Sequence, residues 1–482
     1  MKLAALTIAL VTALTLITGC SIETNNEEKL PIYMVKKEDG FSFKLYIPEG
    51  VNGLVVQSLP APHDGNTVAH LVRRITDEPG GKRFQLDVVI VQPDKQRYKN
   101  YPVADVIVKD DYSVDSIARA YGFKSQDKLV LVRPKERADH KESVQYDVIS
   151  LNVHTGKIKT IAADAVPDVS PSFFAKGWMN QTGQLYLNSY SDGRLWSVDT
   201  GNGEVRSIEG EFNHEWPLYL LTPSPNGELF WHEEKDHHFS MYGQDGKLLK
   251  EIPHTLGYHS YPAFEWSPDS RYSALAFTLS DNPDNILGGE DAYIIAPEMV
   301  AIYNQNGDFR WEVQAKPKEG LTNVDWNGWL SEDGEGVISW YRLDHTVEGA
   351  VPRKTDLQYA LADVAAGTLK DLHPAKRVED LKSPVPVVNR TAQLLLIDRE
   401  AGLYWSPAAE QVNTSINLLS KPGNPKLIWA TRDYTLGETI ITRYNPADHS
   451  TATTVFKELL GEELQLINDT MVADNLNYRW IH

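Results

Sequence analysis

The sequence predicts an all-β protein, a β-propeller of four-stranded antiparallel blades, with eight blades favoured and seven as the alternative. Three observations lead to this fold class. No sustained helical period follows the first 19 residues; short runs rich in Val, Ile, Leu, Tyr, Phe and Trp alternate with Gly, Asn, Asp and Pro; and these runs recur in a fixed order. A lone amphipathic sheet cannot bury both of its faces, whereas repeated sheets in a ring bury each face against a neighbour.

The first repeated unit is a pair of strands around a tight polar turn. Turns such as Thr155-Gly156, Asp245-Gly246 and Asn306-Gly307 are a strong hairpin signal between two apolar runs. Five copies are found, at residues 146–161, 195–208, 239–252, 300–313 and 359–372. They predict the two outer strands of successive blades.

A second unit precedes each hairpin and consists of a strand, a turn and a very apolar strand. Its turns predict the eight blades, near Gly65, Asp127, Gly183, Gly227, Ser270, Gly334, Thr391 and Gly437. Residues 31–53 and 471–482 are predicted to add extra or ring-closing strands.

Two stretches in this series resemble the repeats of a known class of propeller. Residues 266–271, Trp-Ser-Pro-Asp-Ser-Arg, and 195–199, Leu-Trp-Ser-Val-Asp, are similar to repeats of TolB-like and dipeptidyl-peptidase-type propellers. The resemblance spans about residues 172–375. Envelope scaffolds, lyases and the non-catalytic domains of peptidases share such repeats, so the resemblance implies a fold rather than a function.

The N-terminus has the pattern of an export signal. Lys2 is followed by an apolar or small stretch over residues 3–18, which is short for a membrane-spanning helix. Ile17-Thr18-Gly19-Cys20 resembles the lipobox of bacterial lipoproteins, which implies cleavage before Cys20 and lipidation of that residue. We therefore expect a signal peptide over residues 1–19, a lipidated, flexible tether over 20–30, and one propeller domain over 31–482.

The resemblance to a lipobox also implies where the protein is located in the cell. Several acyl chains on Cys20 would make a stable anchor in the cell membrane, on its extracytoplasmic side. In an envelope with two membranes, Ser21 resembles the residue that directs sorting to the outer membrane. Because Cys20 is the only cysteine, no intramolecular disulfide explains it.

Charge excludes one class of partner. The chain has 47 Lys and Arg against 66 Asp and Glu, a formal net charge of −19. Nucleic acids are bound through clustered cations that neutralise phosphates, so no nucleic-acid partner is expected.

Catalytic and cofactor motifs do not occur in the sequence. Neither the Gly-x-Ser-x-Gly nucleophile elbow nor a phosphate-binding glycine loop is found, which argues against an enzyme without excluding one. The His-rich residues 232–238 are interpreted as a solvated hairpin turn, and the acidic residues 281–291 as a surface loop. We therefore predict neither a metal nor a cofactor, and we assign most Trp side chains, including Trp196, Trp231, Trp340 and Trp429, to core packing.

Candidate ligand-binding residues emerge from the repeat register. At the start of successive blades, the chain carries polar and aromatic residues that a ring would gather around its central channel. They are Asp168, His214, Glu215, Trp216, His259, Tyr261, Asp325 and Trp326. The alternative is that these residues cap the turns between blades and hydrogen-bond to the backbone of the channel.

Two functions are compatible with this pattern. The first is a binding or scaffold module for an envelope protein or glycan. The second is a polysaccharide hydrolase or lyase that uses the carboxylates and histidines at the mouth of the channel.

Overall fold

The structure is a computed structural model, and it describes residues 33–481 with internal gaps. The gaps are residues 37–41, 47–53, 62–66, 80, 109–117, 126, 136–144, 167–176, 189–194, 209–220, 234–238, 253–262, 279–285, 288–293, 331–333, 345–352, 388–394, 407–413, 421–425, 446, 462–463 and 475–476. The signal peptide, Cys20 and the tether lie outside the described residues.

Eight antiparallel units, called sheets 1 to 8, follow one another along the described chain; sheets 6 and 7 are joined into one seven-stranded sheet by a parallel pair between Thr368–Pro374 and Leu403–Trp405. Sheet 1 contains Leu54–Pro60, Val68–Glu78, Gly81–Gln92 and Arg97–Val108. Sheet 2 contains Ala120–Ser125, Lys128–Lys135, Gln145–Asn152 and Ile158–Val166. Sheet 3 contains Gly177–Met179, Gln184–Asn188, Leu195–Asp199 and Val205–Ile208. Sheet 4 contains Thr222–Pro223, Leu229–Glu233, Phe239–Gly243 and Leu248–Glu251.

The second half of the chain continues the series. Sheet 5 contains Ala263–Trp266, Tyr272–Phe277, Met299–Asn304 and Phe309–Gln314, with an inserted hairpin of Ile286–Leu287 and Ile294–Ile295. Sheet 6 contains Asn323–Trp329, Glu335–Asp344, Arg353–Asp363 and Thr368–Pro374. Sheet 7 contains Pro384–Val387, Leu395–Asp398 and Leu403–Trp405. Sheet 8 contains Thr414–Leu418, Leu427–Asp433, Glu438–Asn445 and Ser450–Phe456. Short 3-10 turns occur at Pro93–Lys95, Pro317–Glu319 and Val378–Asp380.

A closing sheet joins early and late strands of the chain. Its strands, in order, are Gln465–Asn468, Met471–Asp474, Asn477–Trp480, Ser42–Tyr46 and Tyr33–Lys36. Ser42, Phe43 and Lys44 pair with Arg479, Tyr478 and Asn477. Ring closure by these two segments therefore matches the prediction from the sequence.

Apolar contacts between neighbouring sheets join them into a ring, and each zone of contact between two sheets is called a seam. Each hydrophobic cluster is shared by two neighbouring sheets, from sheets 1 and 2 around to sheet 8, the closing sheet and back to sheet 1. Both faces of a central strand are therefore apolar. In sheet 5, Val300 and Ile302 face sheet 6, whereas Ala301 and Tyr303 face sheet 4.

The predicted β-propeller of four-stranded antiparallel blades is confirmed. Eight consecutive sheets correspond to the eight predicted inner turns, and sheet 7 has three strands of its own. The closing sheet adds a ninth place to the ring as described, between sheets 8 and 1, so the predicted number of eight blades is one too low. The five predicted outer hairpins form with the expected pairing. One turn was misassigned: Gly437 joins the second and third strands of sheet 8, because the first strand ends earlier, at Leu418.

Tryptophan packing also follows the prediction. Trp231, Trp340 and Trp429 are buried, and Trp196 packs against the cluster between sheets 2 and 3. Trp231 stacks on Phe264 at 4.9 Å between ring centres, and its indole N–H donates to Ser273 Oγ across the seam at 3.0 Å. These side chains fill the spaces between sheets.

The strand order defines two faces of the ring. First strands begin at the face that we call the upper face, where the hairpins between second and third strands also turn. The hairpins between third and fourth strands turn at the opposite, lower face. Fourth strands such as Leu248–Glu251 are exposed, so they form the outer rim.

Polar side chains form hydrogen bonds across the seam between the closing sheet and sheet 1. His70 is fully buried there; its Nδ1 lies 2.8 Å from Ser58 Oγ and its Nε2 lies 2.5 Å from Tyr478 OH. Burial lowers the pKa of His70 to about 4. A serine beside a histidine also occurs in nucleophilic catalysis, but this imidazole has no exposed surface through which to meet a substrate.

Candidate binding face

Most of the predicted ligand-binding residues belong to three connections. Asp168 lies in 167–176, His214, Glu215 and Trp216 in 209–220, and His259 and Tyr261 in 253–262. All six lie outside the described residues, and their convergence stays a prediction. In sequence, each connection stands between a fourth strand and the first strand of the next sheet, and that first strand begins at the upper face.

Asp325 is the described member of the set that sits at this face. It is the third residue of the first strand of sheet 6, and the Lys354 ammonium forms an ion pair with its carboxylate. The two side chains are 16% and 18% exposed. The pair therefore places both signs of charge in a largely desolvated position near the upper end of an innermost strand.

Aromatic side chains surround this pair. Lys354 Nζ lies 4.3 Å from the centre of the Tyr341 ring, which is a cation–π distance. Burial and the Asp325 carboxylate raise the pKa of Tyr341 well above its usual range. Burial, Tyr404 and Asp325 likewise raise the pKa of Tyr359, whose ring lies 4.6 Å from that of Tyr404. Both phenols therefore stay neutral at physiological pH.

Strand register explains why these residues meet. Asp325 pairs with Ser339, and Ser339 with Tyr359, so the three share one row and one face of sheet 6. Asn327 Nδ2 donates to Ser339 Oγ at 2.8 Å on the same face. Lys354 lies near the start of its strand, Arg353–Asp363, and a register shift between Trp340 and Arg342 separates it from Tyr359. The sequence shows no local signal for that shift, and Lys354 and Tyr341 were not predicted.

Trp326 lies on the other face of sheet 6. Successive strand residues point to opposite faces, so the structure separates Trp326 from its neighbour Asp325. Its ring packs on Trp329 at 4.7 Å and belongs to the seam with sheet 5.

Removing the lysine should show how the carboxylate is stabilised. We expect Lys354→Met to lower the free energy of unfolding by about 1–2 kcal/mol, because a partly buried Asp325 carboxylate loses its counter-ion. The double variant Asp325→Asn with Lys354→Met should recover much of that loss. Urea unfolding of the three proteins measures both effects, and equal stability of Lys354→Met and the parent would contradict the interpretation.

The described residues contain neither a metal-binding cluster nor a membrane-spanning helix. Within the described ranges, no group of three or more His, Cys, Asp or Glu side chains could hold a metal ion. Over the same part of the chain, no helix has the length and apolar character needed to cross a membrane. His232 is a buried strand residue, and the strands on either side of 234–238 pair as the predicted hairpin.

Comparisons with known proteins give structural likeness without close relatives. No protein-family model matches the chain, and no curated protein sequence matches it. Sqt1 from Chaetomium thermophilum is 13% identical, with a TM-score of 0.41 over 89% of this chain and 96% of that one. The C-terminal WD40 domain of Sif2 is 13% identical, with a TM-score of 0.36 over 81% and 95%. Dipeptidyl peptidase 4 of Porphyromonas gingivalis is 12% identical, with a TM-score of 0.41 over 73% and 56%.

Proposed function

We propose that this protein is a lipid-anchored, extracytoplasmic binding module that holds another envelope component, a protein or a glycan, at the upper face of its propeller. The observation that carries the proposal is the order of the ring. Connections 167–176, 209–220 and 253–262 lead into sheets 3, 4 and 5, which are consecutive neighbours, and sheet 6 follows with the Asp325–Lys354 pair. A rigid ring supports loops that carry binding residues.

The chemistry of these connections suits recognition better than a defined reaction. They bring imidazoles, carboxylates and aromatic rings, which can hydrogen-bond, pair with charges and stack. The net charge of −19 favours a neutral or basic partner over an anionic one.

Histidine variants test the proposed face. We expect His214→Ala combined with His259→Ala to weaken binding to the cognate envelope component at least tenfold with an unchanged melting temperature. Binding is measured with the full-length protein in detergent against a panel of purified envelope glycans and proteins. His373→Ala is the matched control, because His373 is exposed on the outer rim of sheet 6.

Two other outcomes would overturn this assignment. A lower melting temperature with unchanged binding would show that the histidines support the turns between blades. Turnover of a glycan that the double variant abolishes would indicate a hydrolase or lyase instead.

The anchor is tested separately. Radioactive palmitate supplied to the producing cells should label the wild-type protein and leave Cys20→Ala unlabelled, because Cys20 is the only thiol in the chain. Cys20→Ala should also leave the membrane fraction. Persistent label or unchanged fractionation in Cys20→Ala would contradict a lipid on this residue.

A further inference from the structure

A polar cleft lies between sheets 3 and 4, toward the lower face and the outer rim. Its volume is about 440 Å³, within the range of roughly 300–1,000 Å³ typical of small-molecule sites. It is lined by Gln184, Tyr186, Ser197, Asp199, Glu204, Arg206, Ser207, Ile208, Gln244 and Asp245. All but Gln244 and Asp245 come from sheet 3, and these two come from the lower hairpin of sheet 4. The cleft is thus separate from the upper face.

The cleft lies where sheet 3 carries a small polar residue and sheets 4, 5 and 6 carry large apolar residues at the equivalent position. Ser197 lies two residues before the hairpin of its sheet. The equivalent residues, Met241 in sheet 4, Ile302 in sheet 5 and Leu361 in sheet 6, pack against the next sheet. Ser197 and its cross-strand partner Arg206 leave that space unfilled.

Carboxylates outnumber cations around the cleft. Glu204 pairs with Arg206 at 2.8 Å, and Asp245 pairs with Lys247 at 3.1 Å. Asp199 Oδ1 accepts the backbone N–H of Gly201 at 2.6 Å. The hydrogen bond from Arg206 lowers the pKa of Glu204, as the bond from Lys247 does for Asp245.

Several neutral side chains of the lining have no side-chain hydrogen bond within the described part of the chain, and Ser207 and Gln244 are exposed to solvent. Ser197 is only 6% exposed, yet its hydroxyl has no hydrogen-bond partner among the residues the structure describes. The side chains of Gln184, Ser207 and Gln244 are likewise without side-chain hydrogen bonds in that part of the chain. Hydroxyl and amide groups both donate and accept, so together they match a ligand whose own groups do both.

The apolar side chains of the lining are mostly buried: Tyr186 is 4% and Ile208 is 7% exposed. The Tyr186 ring stacks on Trp178 at 5.3 Å, and its hydroxyl donates to Gly227 O at 2.8 Å, which fixes the ring in place. Ile208 lies nearby. The accessible lining is therefore chiefly polar, which suits a molecule with many hydroxyl groups.

We propose that the cleft between sheets 3 and 4 binds a neutral saccharide unit through Ser197, Gln184 and Gln244. An anion is a poorer match, because three carboxylates border the cleft against the two cations of Arg206 and Lys247. A metal ion is also a poorer match, because the described residues contain no group of three or more side chains that could hold one. The proposal does not depend on the function assigned to the upper face.

The test is saccharide binding to the full-length protein in detergent. The protein is titrated with maltose, cellobiose and N,N′-diacetylchitobiose, and binding is measured by saturation-transfer NMR and calorimetry. Co-sedimentation with insoluble cellulose and chitin then shows whether the protein binds the polymer as well as the free sugar. We expect at least one probe to bind and Ser197→Ile to raise its Kd at least tenfold. The isoleucine would fill the space as Ile302 does, so the melting temperature should be unchanged or higher.

Matched variants make the result decisive. Ser150 occupies the equivalent position in sheet 2, and Ser150→Ile should leave binding unchanged. If Ser197→Ile fails to fold, Gln184→Leu and Gln244→Leu should each raise the Kd at least threefold. Absence of binding by all probes, or unchanged binding in the cleft variants, would overturn the proposal. His214→Ala with His259→Ala should leave this binding intact, so failure here is distinct from failure at the upper face.

Discussion

Between pH 6.5 and pH 4, His70 should cost the folded protein about 3 kcal/mol of stability. Burial lowers its pKa from 6.5 to about 4 in the folded chain. The unfolded chain therefore binds a proton first as the pH falls, and stability is lost from about pH 6.5 until the folded imidazole also protonates near pH 4. Each unit of pKa difference corresponds to about 1.4 kcal/mol.

A comparison with His70→Gln isolates this effect. Glutamine keeps a donor and an acceptor for Ser58 and Tyr478 but does not titrate. Urea unfolding of both proteins from pH 7 to pH 4 should show the stability difference shift by about 3 kcal/mol in favour of the variant as the pH falls. Carboxylates titrate in both proteins and cancel. A pH-independent difference would contradict the burial of a neutral His70 in this seam.

The second large effect is expected at Gly203, in the lower hairpin of sheet 3. Its φ is +82°, and a Cβ atom there would lie 2.2 Å from the Ile161 carbonyl oxygen of sheet 2. Gly203→Ala must therefore displace backbone at the seam as well as hold alanine in the left-handed region. We expect a loss of about 3–4 kcal/mol in unfolding free energy.

Gly437 provides the matched control. It also lies in a tight turn, with φ of +68°, but a Cβ atom there would have nothing within 4 Å. Gly437→Ala should cost only the conformational strain, about 1 kcal/mol. Equal losses of unfolding free energy in the two variants would contradict this, because the backbone between sheets 2 and 3 would then accommodate the added methyl group without loss of stability.

Much of the propeller could be predicted because its signals are local. Turns such as Asn306-Gly307 lie between two apolar runs, and the pairing of Met299–Asn304 with Phe309–Gln314 follows from that arrangement. Residues 31–53 and 471–482 were predicted to add extra or ring-closing strands, and the structure pairs Ser42–Tyr46 with Asn477–Trp480. The Gly437 turn was misassigned because a single turn does not reveal which hairpin of a meander it belongs to.

The candidate sites were less accessible to sequence reasoning. Asp325 was found through its place in the repeat, whereas its partner Lys354 reaches it only because of a register shift in sheet 6. Ser197 appears in the sequence as an ordinary strand serine. Its role in the cleft depends on the sheet that it faces.

The sequence alone determined the strand pattern, the hairpin turns, the acidic charge and the lipobox-like N-terminus, because each is expressed over a few neighbouring residues. Tertiary structure decided which side chains meet across seams. His70 and Tyr478 are 408 residues apart, and only ring closure brings their side chains together. Contacts of that kind have no local sequence signal, since each sheet meets a partner chosen by the geometry of the whole ring.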